Sequence, residues 1–114
     1  RCAIVATGDL FHHGIAYGNS PDMSRTPEAG GLDLARSAID RGLEILRGGD
    51  YSAYNRHSVE TKSDARDVGQ VLRHLIGPFE GRVLDLVAED MTGPYEKPPP
   101  SWVAGALVRF STSG

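Results

Sequence analysis

Cysteine is almost missing from this chain. The single residue, Cys2, excludes an internal disulfide and a cysteine-rich zinc site. Such sparing use of thiols fits a reducing compartment, and the expectation is a cytoplasmic protein. A basic excess is missing too. Lys plus Arg is 12 against 15 for Asp plus Glu, a formal charge of −3, which argues against nucleic acid or a membrane surface as partner. No apolar run approaches the roughly 18 residues of a membrane helix. There is no HxH or HExxH metal spacing, no G-x-S-x-G elbow, no phosphate-binding or dinucleotide glycine fingerprint and no internal repeat.

What remains is 114 residues, enough for one domain or for half of a common enzyme domain. The apolar fraction of 39% is low for a self-sufficient globule yet well above that of a disordered chain. Glycine and proline together supply 21 of the residues (14 and 7), which predicts many loops.

The chain opens on Arg1 and enters an apolar run at once, Cys2 to Thr7. So apolar a segment reads as a strand buried on both faces, the habit of a central strand in an α/β sheet. With only two further strand candidates, the expectation is a C-terminal half, a processed product, or one subunit of a split domain. Gly8–Gly14 reads as a loop, and Gly18–Pro27 as a long surface loop of turn residues. Thr26-Pro27-Glu28 has the character of a helix N-terminus. The helix that follows is clearest over Leu32–Leu46, where Leu32, Ala35, Ile39, Leu43 and Leu46 share a face. Gly48-Gly49 ends it. A short helical turn follows near Asp50–Arg56, then polar loop over His57–Lys62. Ser63 is expected to cap a second helix, with Val68, Leu72, Leu75 and Ile76 on one face, stopped by Gly77-Pro78. Arg82–Ala88 and Trp102–Phe110 read as strands, separated by a second long loop with four prolines. The fold class is α/β. Two long loops follow strand C-termini, where ligands bind in open α/β sheets.

Asp9, His12 and His13 are the densest ionisable cluster. An imidazole there can act as a general base near neutral pH, with a carboxylate to fix its tautomer. A metal needs about three convergent ligands, and His57, His74, Glu89, Asp90 and Glu96 are the further donors considered. Glu89-Asp90 closes the penultimate strand at a suitable height for a ligand, although a solvated acidic turn explains it somewhat better. Cys2 reads as inert, His74 as a helix-surface residue and His57 as a loop residue.

The segment Ile4-Val-Ala-Thr-Gly-Asp-Leu-Phe-His-His-Gly14 resembles the S-(S/G)-D-(L/F)-S-H segment of the Memo-like and LigB-like class III extradiol dioxygenase superfamily. Asp67-Val-Gly-Gln-Val-Leu72 is similar to the family's glycine-containing helix start, and Ser101-Trp-Val-Ala-Gly-Ala-Leu107 to its closing Y-A-A-G-A-L strand. The resemblance implies a three-layer α/β sheet with flanking helices, of which residues 1–114 form roughly the C-terminal half or a small subunit. It implies His12 as acid/base, with Asp9 beside it and His13 next in line. It implies Fe(II), held largely by two histidines of a companion chain or N-terminal half, and a small aromatic substrate. The family's last-loop cysteine falls at Thr92, so a carboxylate of Glu89, Asp90 or Glu96 would replace it, with Glu89 taken as the metal ligand. Phe11 stands at the family's serine, and its Cys-Gly before the second helix is missing. The rival reading is a non-catalytic structural or binding subunit on the same fold; a metal-dependent activity of another type is a third.

Overall fold

Two eleven-residue strands with alternating burial organise the molecule. The computed structural model describes residues 3–112. Strand β2 (Glu80–Asp90) pairs antiparallel with β3 (Ser101–Ser111), from Glu80 opposite Ser111 to Asp90 opposite Trp102, with a register shift between Val83 and Asp85. The short β1 (Phe11–Gly14) lies antiparallel on the other side of β3, so the sheet order is β1-β3-β2. The α/β class expected from the sequence is what forms.

Period-two alternation gives the sheet two unlike faces. One bears Phe11, His13, Trp102, Ala104, Leu86 and Ala88, and it packs against Ala35 and Ala38 of helix α1 (Gly31–Gly48). Ala35, Ile39, Gly42 and Leu46 recur at helical spacing and are the buried stripe of α1. Gly31 is glycine for space: a Cβ would stand 2.7 Å from Trp102 Cζ2 and 2.5 Å from the Thr26 carbonyl oxygen. Helix α2 (Tyr51–Glu60) starts where the Asp50 carboxylate accepts from Ala53 N at 2.9 Å. It packs on α1 through Tyr54, which joins Leu46 and Phe79 in a second cluster. Helix α3 (Arg66–Ile76) meets α2 at Gly69, where a Cβ would lie 2.5 Å from the Tyr54 hydroxyl. The opposite sheet face carries Val87 and Leu107, 59% and 63% exposed. No helix is long and apolar enough to cross a membrane among the described residues.

Five expectations need correction. The apolar N-terminal run forms no strand over residues 3–10, with Ile4 55% and Val5 82% exposed. Cys2 lies outside the described residues. The first strand forms later, at Phe11–Gly14, within the stretch read as loop. Its pairing with β3 stops at Leu10 N, which donates to the Ala104 carbonyl at 3.2 Å. An apolar run becomes a central strand only where neighbours exist on both sides, and here the chain peels away from β3. Thr26 caps a 3-10 turn (Pro27–Ala29) rather than α1, accepting from Ala29 N. α2 runs through His57 to Glu60, where a loop was expected. Ser63 lies before α3, which starts at Arg66 without a side-chain cap; its Oγ accepts from Ala65 N at 3.2 Å.

The two long loops meet at one end of the sheet. Ile15 N donates to the Pro100 carbonyl (2.9 Å), Ala16 N to Ser101 Oγ (2.9 Å) and Met91 N to the Ser101 carbonyl (2.8 Å). A four-atom clamp fixes the first loop: Arg25 N donates to His13 Nε2 at 3.0 Å, and Trp102 Nε1 donates to the Arg25 carbonyl at 2.8 Å. His13 is buried, stacked on Phe11 with centroids 5.6 Å apart. Burial, then the charges of Lys62 and Arg25, hold its pKa below the ordinary histidine value.

An imidazolium cannot accept the Arg25 N–H. The native state therefore disfavours the proton that the unfolded chain takes up near pH 6.5. Stability from this clamp is complete above that pH and is lost as pH falls toward the lower native pKa. Thermal unfolding followed from pH 7.5 to 5 should show a falling midpoint for the wild type and a flatter profile for His13→Gln, whose amide oxygen can still accept. Parallel profiles would refute this.

Candidate functional site

The site is built where the chain between α2 and α3 runs beside β1. His12 N donates to the Thr61 carbonyl (3.3 Å) and Asp64 N donates to the Asp9 carbonyl (2.8 Å). These two bonds lay the turn of residues 61–64 along the free edge of β1. Lys62 takes the left-handed conformation, φ 54°, a region that costs a non-glycine residue about 1 kcal/mol or more. That conformation turns its carbonyl onto His12 Nδ1.

A carbonyl only accepts, so the contact assigns the His12 proton to Nδ1. Nε2 is then the free atom, and it faces two carboxylates: Asp64 Oδ2 at 3.6 Å and Asp9 Oδ2 at 3.8 Å. The His12 side chain is only 12% exposed, whereas Asp9 and Asp64 are largely in solvent. One donor atom from each residue lies within 4.8 Å of the others, the convergent metal-ligand group among the described residues. A histidine whose other nitrogen is tied to a backbone carbonyl, flanked by two carboxylates, suits a divalent cation or a proton at Nε2. The donor set fits Fe(II) and other borderline or hard divalent ions.

Tyr17 packs its ring edge-on to His12, centroids 4.9 Å apart, and meets Tyr95 at 6.4 Å. Burial first, then Tyr95, Asp9 and Asp64, raise the Tyr17 pKa. A cleft of about 380 Å³ opens beside these groups, lined by His12, Tyr17, Ser58, Lys62, Asp64 and Arg66 among others.

Of the residues singled out from sequence, Asp9 and His12 are brought together. His13 points to the opposite face, into the α1 side, and holds the Arg25 loop. Glu89 is exposed on β2. It and His12 both pair with Val103, so they share a row and a face, separated by two strand spacings or about 10 Å. His57 Nε2 donates to the Ala38 carbonyl at 2.7 Å, in the helix interface. His74 lies on the exposed side of α3. Asp64 was not singled out. No spacing motif joins it to His12, and only the polar turn before α3 marks it.

In the isolated chain, Mn(II) titrated by calorimetry should bind at this group. Asp64→Asn should weaken it at least about tenfold, given that even outer partners of metal ligands contribute 10–100-fold. Glu89→Gln should leave it unchanged, and the reverse ranking would remove Asp64 from the site.

Comparison with protein-family models, with curated proteins and with solved structures gives no match to this chain.

Proposed function

We propose that this chain carries the acid–base side of a non-haem, metal-dependent oxygenase site of the extradiol dioxygenase type, acting on a small aromatic diol or aminophenol. One observation carries the reading: His12 is locked with Nδ1–H on the Lys62 carbonyl and Nε2 free between two carboxylates at an open cleft. That nitrogen can take a proton from a substrate hydroxyl, and Asp9 and Asp64 stabilise the resulting cation. Asp9, three residues before His12, also favours the ring orientation. Fe(II), when bound, supplies the redox chemistry with dioxygen. Asp9 and Asp64 are the residues of this chain suited to face it, leaving His12 Nε2 for the proton, with the remaining ligands, two histidines, on a companion polypeptide. Glu89 is the further carboxylate assigned to that companion's side, on the face it shares with His12.

The finer architecture belongs to the same proposal. Residues 1–114 form roughly the C-terminal half, or a small subunit, of a three-layer domain, and the companion covers the open sheet face. Two features support this. Val87 and Leu107 form apolar surface with no cover. Arg82 and Arg109 stand directly opposite each other at one end of that face. Like charges so paired are unfavourable, and carboxylates on a covering layer would neutralise them.

Light scattering on the isolated chain should show association, relieved by Leu107→Lys with Val87→Thr. A monomer that binds no hydrophobic dye would count against the missing layer. In the Fe(II)-loaded assembly, ring opening of a catechol, followed by absorbance, should fall roughly 10²–10⁴-fold in His12→Ala. The melting temperature should shift by no more than the equivalent of about 1 kcal/mol. His13→Gln should retain most of the activity. Absence of ring opening in the wild-type assembly would favour the non-catalytic subunit.

A further inference from the structure

Strand β3 has one finished edge and one open edge. β2 pairs with it from Trp102 to Ser111, whereas β1, on the other side, pairs only with Ser101–Ala104. On that second side residues 105–110 have no backbone partner among the described residues. Unpaired edges attract further strands, and proteins blunt the edges they leave free with charges and bulges. The outer edge of β2 is blunted in this way. Arg82, Asp85, Glu89 and Asp90 are spread along it, and Leu84 is an extra residue at the register shift between Val83 and Asp85. The open stretch of β3, Gly105-Ala-Leu-Val108, has no charge, no proline and no extra residue.

Beside this open edge lies an apolar groove of about 250 Å³. Ala106, Val108 and Phe110, alternate residues of β3, form one side of it. Leu43 of α1, Val68 and Leu72 of α3, and residues 4–8 line the rest. The space falls below the roughly 300 Å³ at which small-molecule sites begin, and it suits side chains presented at alternate positions. A second copy of this chain would have to bring a whole sheet edge, with its own helices, into a space already bounded by α3 and residues 4–8. A single strand would not. The open sheet face adds a charge requirement. Arg109 stands there opposite Arg82, so the strand position next to Arg109 favours an acidic side chain.

We propose that residues 105–110 of β3 take up one extended segment of a partner protein as a fourth strand. Its alternate side chains are apolar and fill the groove, and a carboxylate lies beside Arg109. Main-chain bonds to the edge would supply affinity, and the alternation specificity. The inference needs nothing at His12. It is also separate from the layer over Val87 and Leu107, which covers a face rather than an edge.

The test uses a short, fluorescein-labelled peptide that alternates valine with threonine and aspartate, titrated into the intact chain and followed by anisotropy. It should bind at least about tenfold tighter than a peptide of the same composition with its valines grouped, because grouping leaves apolar side chains outside the groove. Methylation of its backbone nitrogens should abolish binding. It should be preferred about two- to fivefold over a peptide with lysine for aspartate, and Arg109→Glu should reverse that preference. Hydrogen exchange should slow in the complex at the amides of residues 105–110 that exchange fast in the free chain, and stay unchanged along β2. Equal affinity for alternating and grouped peptides, binding that survives methylation, or protection along β2 instead overturns the edge site. A preference unmoved by Arg109→Glu overturns the carboxylate. Full protection of residues 105–110 before any peptide is added also overturns the proposal. Protection lost on dilution then names a second copy as the occupant, and protection that persists names residues 4–8. Failure of every peptide to bind removes the edge site and leaves the covering layer standing, since light scattering with Leu107→Lys and Val87→Thr reads that layer independently.

Discussion

The edge contact between residues 61–64 and residues 9–12 is the constraint on which the cleft depends. Asp9 and Asp64 are far apart in sequence, and the backbone bonds Asp64 N to Asp9 O and His12 N to Thr61 O bring them together. The same contact puts the Lys62 carbonyl under the imidazole, so one backbone arrangement sets both the position and the tautomer of His12. It is also what the left-handed Lys62 is for. A non-glycine residue in that region is unfavourable, and here it is held by bonds on either side. The turn between α2 and α3 is thereby made part of the site rather than a connector.

A second constraint acts through alternation. His12 and His13 are adjacent, yet on a strand adjacent residues face opposite sides. His13 therefore joins Phe11 and Trp102 under α1, where a neutral imidazole accepts the Arg25 N–H. His12 is left to the cleft. Identical side chains thus take two jobs: one anchors a loop and the other faces solvent and carboxylates. Trp102 ties the arrangement together. It is buried, donates to the Arg25 carbonyl and sits within 5.6 Å of both the Phe11 and His13 rings. Truncating such a tryptophan typically costs about 3–5 kcal/mol.

Much of this fold was legible in the sequence, and the failures share a cause. The α1 stripe and the two long strands follow from periodicity, because helix and strand repeats are local properties. Asp9 and His12 were also visible, as ionisable residues gathered beside an apolar run. The apolar run itself misled. Ile4 and Val5 have the composition of a buried strand, but composition cannot say whether a neighbouring strand exists, and the pairing of this segment with β3 ends at Leu10 N to the Ala104 carbonyl. Asp64 was invisible for a related reason. Its partnership with His12 is made by tertiary backbone bonds, with no spacing to announce it.

The open sheet face and the cleft are not separate features. His12, Val103 and Glu89 form one cross-strand row, and Val103 lies on the same face as Leu107 four residues along β3. At about 3.4 Å per residue, the exposed leucine is roughly 13 Å from the row that contains the imidazole. Any layer broad enough to cover Val87 and Leu107 therefore reaches the rim of the cleft as well. Covering that face would remove apolar surface from water and lower the local dielectric around Nε2, strengthening each interaction with Asp9 and Asp64. Assembly across this face would in this way be coupled to the electrostatics of His12 by the geometry of a single sheet face.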